Sequence, residues 1–129
     1  MNKLNIKRAL VSVYDKTNIQ LLIPYFEKYN IDVFSTGGTY KFLKKISPGL
    51  NLFEISDLTD FPEILNGRVK TLHPIVHAGI LADKSNKKHS LQLQKLKIKP
   101  FDLVVVNLYP FEEAISKKEN TFDKCIEFI

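Results

Sequence analysis

The sequence predicts an α/β fold, an open parallel sheet flanked by helices, on three observations. Short apolar runs rich in Val, Ile and Phe alternate with segments of helical period, in the order strand, helix, strand, helix, strand, long irregular stretch, helix, strand. The run Phe101–Leu108 has an unbroken apolar centre, which implies burial on both faces, as in a parallel sheet. A chain of 129 residues, 44% hydrophobic, is long enough for one domain with a sizeable core.

Taken in order, Ala9–Val13 reads as the first strand. Ile19 to Tyr29 carries apolar residues at Ile19, Leu22, Ile23, Tyr25, Phe26 and Tyr29, a helical spacing that Asp15 or Thr17 would cap. Pro24 then requires an early turn of that helix or a kink. Ile31–Ser35 is a second strand, left by the turn Thr36–Thr39, and Tyr40–Ile46 a short helix ending near Ser47-Pro48-Gly49. Leu52–Ile55 is a weaker third strand. Ser56 to Asp83 shows little periodicity and much Pro, Gly, Asp and Asn, and so long an irregular stretch in a compact domain points to function. Helix returns over Ser85–Lys97, and short helical segments at Phe111–Lys117 and Phe122–Ile129 follow the last strand.

Composition excludes several classes. No apolar run approaches the roughly 18 residues a membrane span needs. The basic start of the chain leads into no apolar signal core. A single cysteine, Cys125, cannot form an internal disulfide and reads as a small core hydrophobe in a reducing, cytoplasmic compartment. The net charge of +5 invites a nucleic-acid reading. However, Arg8 and Arg68 are the only arginines among 19 basic residues, and no aromatic RNA-binding motif or zinc finger accompanies the lysine clusters, so no specific nucleic-acid partner is expected.

Ligands of open α/β sheets bind beyond the carboxyl ends of the strands, and three such ends carry polar residues. They are Ser12 with Asp15-Lys16, the turn Thr36-Gly37-Gly38-Thr39, and Asn107 with Tyr109. Glycines let backbone N–H groups approach an anion, the helix after Thr39 adds its positive end, and the Thr hydroxyls donate further bonds. Together these make a phosphate cradle, with Lys16 or Arg68 as counter-charge. The loop Asn66–Pro74 adds Arg68, Lys70, Thr71 and His73 beside a glycine, a donor set suited to an anionic ligand. Tyr109 is either a packing tyrosine or a catalytic phenol within reach of Lys70. His73 and His77 have helical metal-ligand spacing but no third ligand, so no metal is assigned. Asp57, Asp60 and Glu63 read as a solvated acidic stretch.

These segments, in this order, resemble the IMP cyclohydrolase domain found at the N-terminus of a bifunctional purine-biosynthesis enzyme. The pieces that carry the resemblance are Ser12–Thr17, Ser35–Thr39, Phe61-Pro62-Glu63, Gly67–Pro74, His77–Leu81 and Val105–Phe111. The resemblance implies a methylglyoxal-synthase-like open parallel sheet, a homodimer, no cofactor, and closure of a formylated aminoimidazole carboxamide ribotide to IMP with loss of water. It assigns binding of that purine ribotide to Ser12, Asp15, Lys16, Thr36, Gly37, Gly38, Thr39, Arg68, Val69, Lys70, Thr71 and Asn107, and catalysis to Lys70 and Tyr109. Such roles suit the chemistry: the enzyme must hold a weak amide nucleophile against a formyl carbon, and a nearby ammonium stabilises the oxyanion that forms.

Two departures stand out. Position 14 is Tyr where the family often has Ser. Family members also continue past Ile129 into Asp-Ile-Gly-Gly and an Ala-Ala-Ala-Lys-Asn stretch. The resemblance therefore implies residues 1–129 as one cyclohydrolase-like domain, C-terminally incomplete and without the transformylase domain, in which phosphate affinity survives and turnover is poor or absent. A regulatory module of the same fold, binding nucleotides without catalysis, is the main alternative. Methylglyoxal synthase is a second, but it places an aspartate where this chain has Tyr109-Pro110.

Overall fold

A computed structural model describes residues 5–117 and 120–126. Its sheet has four strands: β1 (Arg8–Ser12), β2 (Asp32–Ser35), β3 (Leu52–Glu54) and β4 (Leu103–Val106). Their spatial order is β3-β2-β1-β4, and all three pairings are parallel. The order reverses between β1 and β4, so the crevice beyond their carboxyl ends is the switch point where such sheets take ligands. Register places Val11 opposite Ser35 and Ser12 opposite Val106, which aligns the chemistry-bearing strand ends on one edge.

Alternation along β1 divides the core in two. Ala9 and Val11 join Val33, Phe26 and Leu43 in one cluster, which covers that face with α1 (Ile23–Lys28) and α2 (Gly37–Ile46). Leu10 and Phe34 pack with Ile55, Val76 and Phe101 on the other face, under α3 (Ile55–Thr59) and α4 (Pro74–Leu81). Buried Arg8 lies over the rings of Phe34 and Phe101, 4.5 and 5.1 Å from their centroids, and donates to the Lys99 carbonyl. Its burial lowers the guanidinium pKa, against the attraction of Asp32 and Asp102.

Several expectations change. The Ile19–Tyr29 segment opens with a 3₁₀ turn, Ile19–Leu22, before α1, and Pro24 fits in the first turn of α1, where no amide donor is missed. Neither Asp15 nor Thr17 caps it: the preceding residue is Asn18, in a left-handed conformation. Gly37 and Gly38 lie inside the first turn of α2 rather than in a separate turn. The stretch from Ser56 to Asp83 contains α3, a 3₁₀ turn at Leu65–Gly67, and α4. α3 is short and held by a reciprocal capping box between Glu54 and Asp57. α4 begins with Pro74 after His73, whose Nδ1 accepts from the Ile75 amide at 3.2 Å. Its residues, PIVHAGIL, are apolar nearly all round, so no amphipathic period marks them.

α5 (Lys87–Lys95) is capped by the Asn86 side chain, which accepts from the amides of Lys88 and His89. Among the described residues β4 is an outer strand, and it is not buried on both faces: Val104 and Val106 are exposed, while Leu103 and Val105 pack on the core. Among the described residues, β4 has only β1 beside it in the sheet. α6 (Phe111–Ser116) and α7 (Phe122–Ile126) follow, and residues 127–129 of the expected last helix lie outside the described residues. Cys125 is half-buried, its thiol 3.7 Å from the Ala114 carbonyl. No helix among the described residues is long and apolar enough to cross a membrane.

Candidate functional site

At the carboxyl ends of β1, β2 and β4 lies a cleft of about 120 Å³ lined by Ser12, Lys16, Thr36, Gly38, Thr39, Lys70, Asn107 and Tyr109, with Val13 and Tyr14. The sheet fixes its floor. Ser12 Oγ and Thr36 Oγ1 are 2.8 Å apart. Thr39 Oγ1 accepts from the Val13 amide at 3.1 Å and donates to the Val13 carbonyl at 3.0 Å. Ser35 donates to the Val11 carbonyl at 2.6 Å. Ser35, Thr36 and Thr39 are all buried, and their hydroxyls tie the end of β2 and the start of α2 to the end of β1. Because the Thr36 hydroxyl is committed to Ser12, it does not cap α2, and the helix presents its amide end to the cleft.

Lys16 reaches this end from the other side. Its ammonium donates to the carbonyls of Val13 (3.4 Å) and Tyr14 (3.2 Å) and lies 3.9 Å from where a Cβ on Gly38 would be. Asn107 bridges the crevice between β1 and β4. Its Oδ1 accepts from the amides of Tyr14 (2.7 Å) and Asp15 (3.1 Å), and its Nδ2 donates to the Asp15 carbonyl at 2.8 Å. Two backbone donors on one oxygen fix the amide's orientation, leaving one N–H for a ligand. Lys70 Nζ is 3.3 Å from Tyr109 Oη and 5.8 Å from the ring centroid. The Tyr109 ring meets Tyr14 at 4.8 Å, so the departure at position 14 supplies a packing partner for the phenol.

The remaining predicted residues stand apart from this cleft. Asp15 is exposed and borders a neighbouring hollow with Asn107 and Glu113. Its carboxylate accepts from the Thr17 hydroxyl (2.6 Å) and amide (2.8 Å), bonds that hold its pKa below the usual aspartate value. Val69 lines a cavity with Pro62, Leu72 and His73, and Arg68 is exposed. Gly37 opens onto an adjoining hollow of about 270 Å³ that shares Thr36 and Lys70 with the cleft. Thr71 is half-buried and lines none of these cavities, its carbonyl accepting from the His73 amide at 2.8 Å. His77 Nδ1 lies 3.3 Å from the His73 carbonyl, so both histidines serve the start of α4.

Glu63 has neighbours that sequence reasoning missed. It is exposed, as a solvated acidic stretch implies, but its carboxylate also lies beside Gly37 and Gly67, where a Cβ on either would fall within 2.9 and 2.8 Å of its oxygens. The signals in the sequence are its place just before an Asn-Gly turn and its membership of the Phe61-Pro62-Glu63 segment that carries the resemblance.

The geometry is thus a switch-point crevice with a helix amide end, two lysines and a phenol. A family model described as an MGS-like domain matches residues 19–129. The chain is 53% identical over 123 residues to the bifunctional purine biosynthesis protein PurH of Caldicellulosiruptor bescii, covering 95% of this chain and 24% of that protein. Against PurH of Bacillus subtilis it is 48% identical over 126 residues, 98% of this chain and again 24% of the relative. The chain therefore spans about a quarter of the length of the curated relatives it matches. Among solved structures, the crystal structure of ForH superposes with a TM-score of 0.69 at 35% identity, over 80% of this chain and 51% of that one. With a matching model over most of its length and the parallel sheet such a domain requires, this chain belongs to the MGS-like domain family.

Proposed function

We propose that residues 1–129 form a cyclohydrolase-like domain acting in purine biosynthesis, binding a purine ribotide in this cleft and closing the formylated aminoimidazole carboxamide ring to IMP. The observation that carries the reading is the Lys70–Tyr109 pair, 3.3 Å apart, set over a turn whose helix end and Lys16 suit a phosphate. The similarity to PurH proteins, which are bifunctional purine biosynthesis proteins, supports it.

In this reading the phosphate rests on the start of α2 at Gly38 and on Ser12, with Lys16 beside it. The base lies toward Tyr109, and Arg68 and Thr71 approach on loop closure. Holding the carboxamide nitrogen against the formyl carbon supplies most of the acceleration, since both groups belong to one molecule. Lys70 stabilises the negative charge that develops on the formyl oxygen, and Tyr109 positions that ammonium and passes a proton. No step calls for a metal or organic cofactor. The domain works in the cytoplasm as a homodimer, which sedimentation at several concentrations tests.

Calorimetric titration with IMP, beside an assay of IMP formation from the formylated ribotide, tests the proposal. Binding that inorganic phosphate competes away is expected, with slow turnover that Lys70→Met abolishes. Absence of binding overturns the reading. Binding with no turnover at all favours the regulatory module of the same fold.

A further inference from the structure

We infer that Glu63 is a positioning residue that pins the loop carrying Lys70 to the start of α2. This rests on the reading of the site proposed above. The loop needs an anchor because its backbone is strained. Leu65, Asn66 and Gly67 have φ of 54°, 54° and 86°, three consecutive residues in the left-handed region. That conformation costs a non-glycine residue about 1–2 kcal/mol. Asn tolerates it, but Leu65 has no local polar group to offset the cost, and its side chain is exposed. An antiparallel bridge between Ile64 and Val69 closes the turn, with bonds of 3.1 and 3.4 Å.

Beside the Lys70–Tyr109 contact, the Glu63 carboxylate supplies a tie to α2. A Cβ on Gly67 would lie 2.8 Å from its Oε1, and one on Gly37 would lie 2.9 Å from its Oε2. One carboxylate thus spans the strained turn and the first residue of α2. Both positions are glycine with positive φ, so both the backbone and the space for the carboxylate depend on the missing side chain. The electrostatics agree: α2 lacks a side-chain cap, and an anion at its first turn meets the positive end of the helix dipole. The two glycines divide the turn by charge. Gly37 faces the Glu63 carboxylate, while Gly38 faces the Lys16 ammonium and the cleft. Lys70 borders the same hollow as Glu63, Gly37 and Thr36, three residues beyond the pinned Gly67.

Glu63→Ala and Glu63→Gln test this by amide hydrogen exchange of the unliganded protein and by titration with IMP. In Glu63→Ala, amides of residues 66–71 should exchange about tenfold faster while those of β1 and β2 keep their protection. IMP affinity should fall about tenfold at an unchanged Tm, as expected when a group moves out of register. Glu63→Gln, which keeps the shape and loses the charge, should recover part of both effects. Unchanged exchange in the loop overturns the inference. So does tighter binding of IMP or inorganic phosphate, which would make the carboxylate a competitor for the anion position. If the unaltered protein binds no IMP, the proposed function fails, while the exchange experiment still decides the role of Glu63.

Discussion

The two halves of the cleft are built in opposite ways. The anion-facing half consists of strand ends and one helix start, with Ser35, Thr36 and Thr39 buried and bonded to β1. The cation-bearing half, from Phe61 to His73, is largely exposed and has one local bridge and three left-handed residues in succession. The first half comes with the fold, because any chain that makes this sheet and α2 has the cradle. The second half is an addition whose geometry relies on a few contacts. Substitutions in the first should therefore cost stability, and substitutions in the second should cost ligand affinity.

The sharpest way to break that contrast is Lys70→Met. Loss of one charge-assisted contact should weaken IMP binding roughly 10- to 150-fold while urea unfolding moves by less than about 0.5 kcal/mol. A comparable loss of stability would mean that the loop is part of the folding core. Thr39→Val should do the reverse. It strands the buried amide of Val13 and leaves its carbonyl only the Lys16 ammonium, and the urea midpoint should report a loss of about 2 kcal/mol. Asn107→Ala tests the seam between the halves. Removing its three bonds to the backbone of Tyr14 and Asp15 at an exposed site should cost about 1 kcal/mol and weaken IMP binding a few-fold.

The smallest effect concerns the opposite end of β4. Burial raises the pKa of Asp102, but hydrogen bonds from Lys84 and from the amides of Lys7 and Arg8 outweigh it and hold the carboxyl below the usual aspartate value. A pKa lowered by folding means that the stabilisation is complete above the ordinary aspartate range and disappears as pH falls through the folded value. Asp102→Asn should flatten that acid limb of a stability–pH curve and leave IMP affinity at neutral pH unchanged.

The sheet was legible in the sequence because its strands are short apolar runs bounded by polar ends, and alternation with helical period implied parallel pairing. Ser12, Thr36 and Asn107 were legible for a related reason: a polar residue directly after an apolar run falls at the rim. The errors also have physical causes. α4 escaped detection because a helix apolar on nearly every side has no period to detect, and α3 because five residues with a capping box resemble a loop. Phe101–Leu108 looked buried on both faces because four successive apolar residues do not reveal that one face of an outer strand is open. The nearness of Glu63 to Gly37 was unreadable in one dimension, because the loop and the start of α2 meet only in the fold.

The Tyr14–Tyr109 contact has a practical consequence. The chain contains no tryptophan, so its ultraviolet emission comes from five tyrosines. Two of them touch at the mouth of the cleft, one beside the Lys70 ammonium, whereas Tyr25 and Tyr29 sit on the solvent side of α1 and its end. A stacking base arriving there would alter the quantum yield of that couple, so the molecule carries its own optical gauge of occupancy and needs no attached dye.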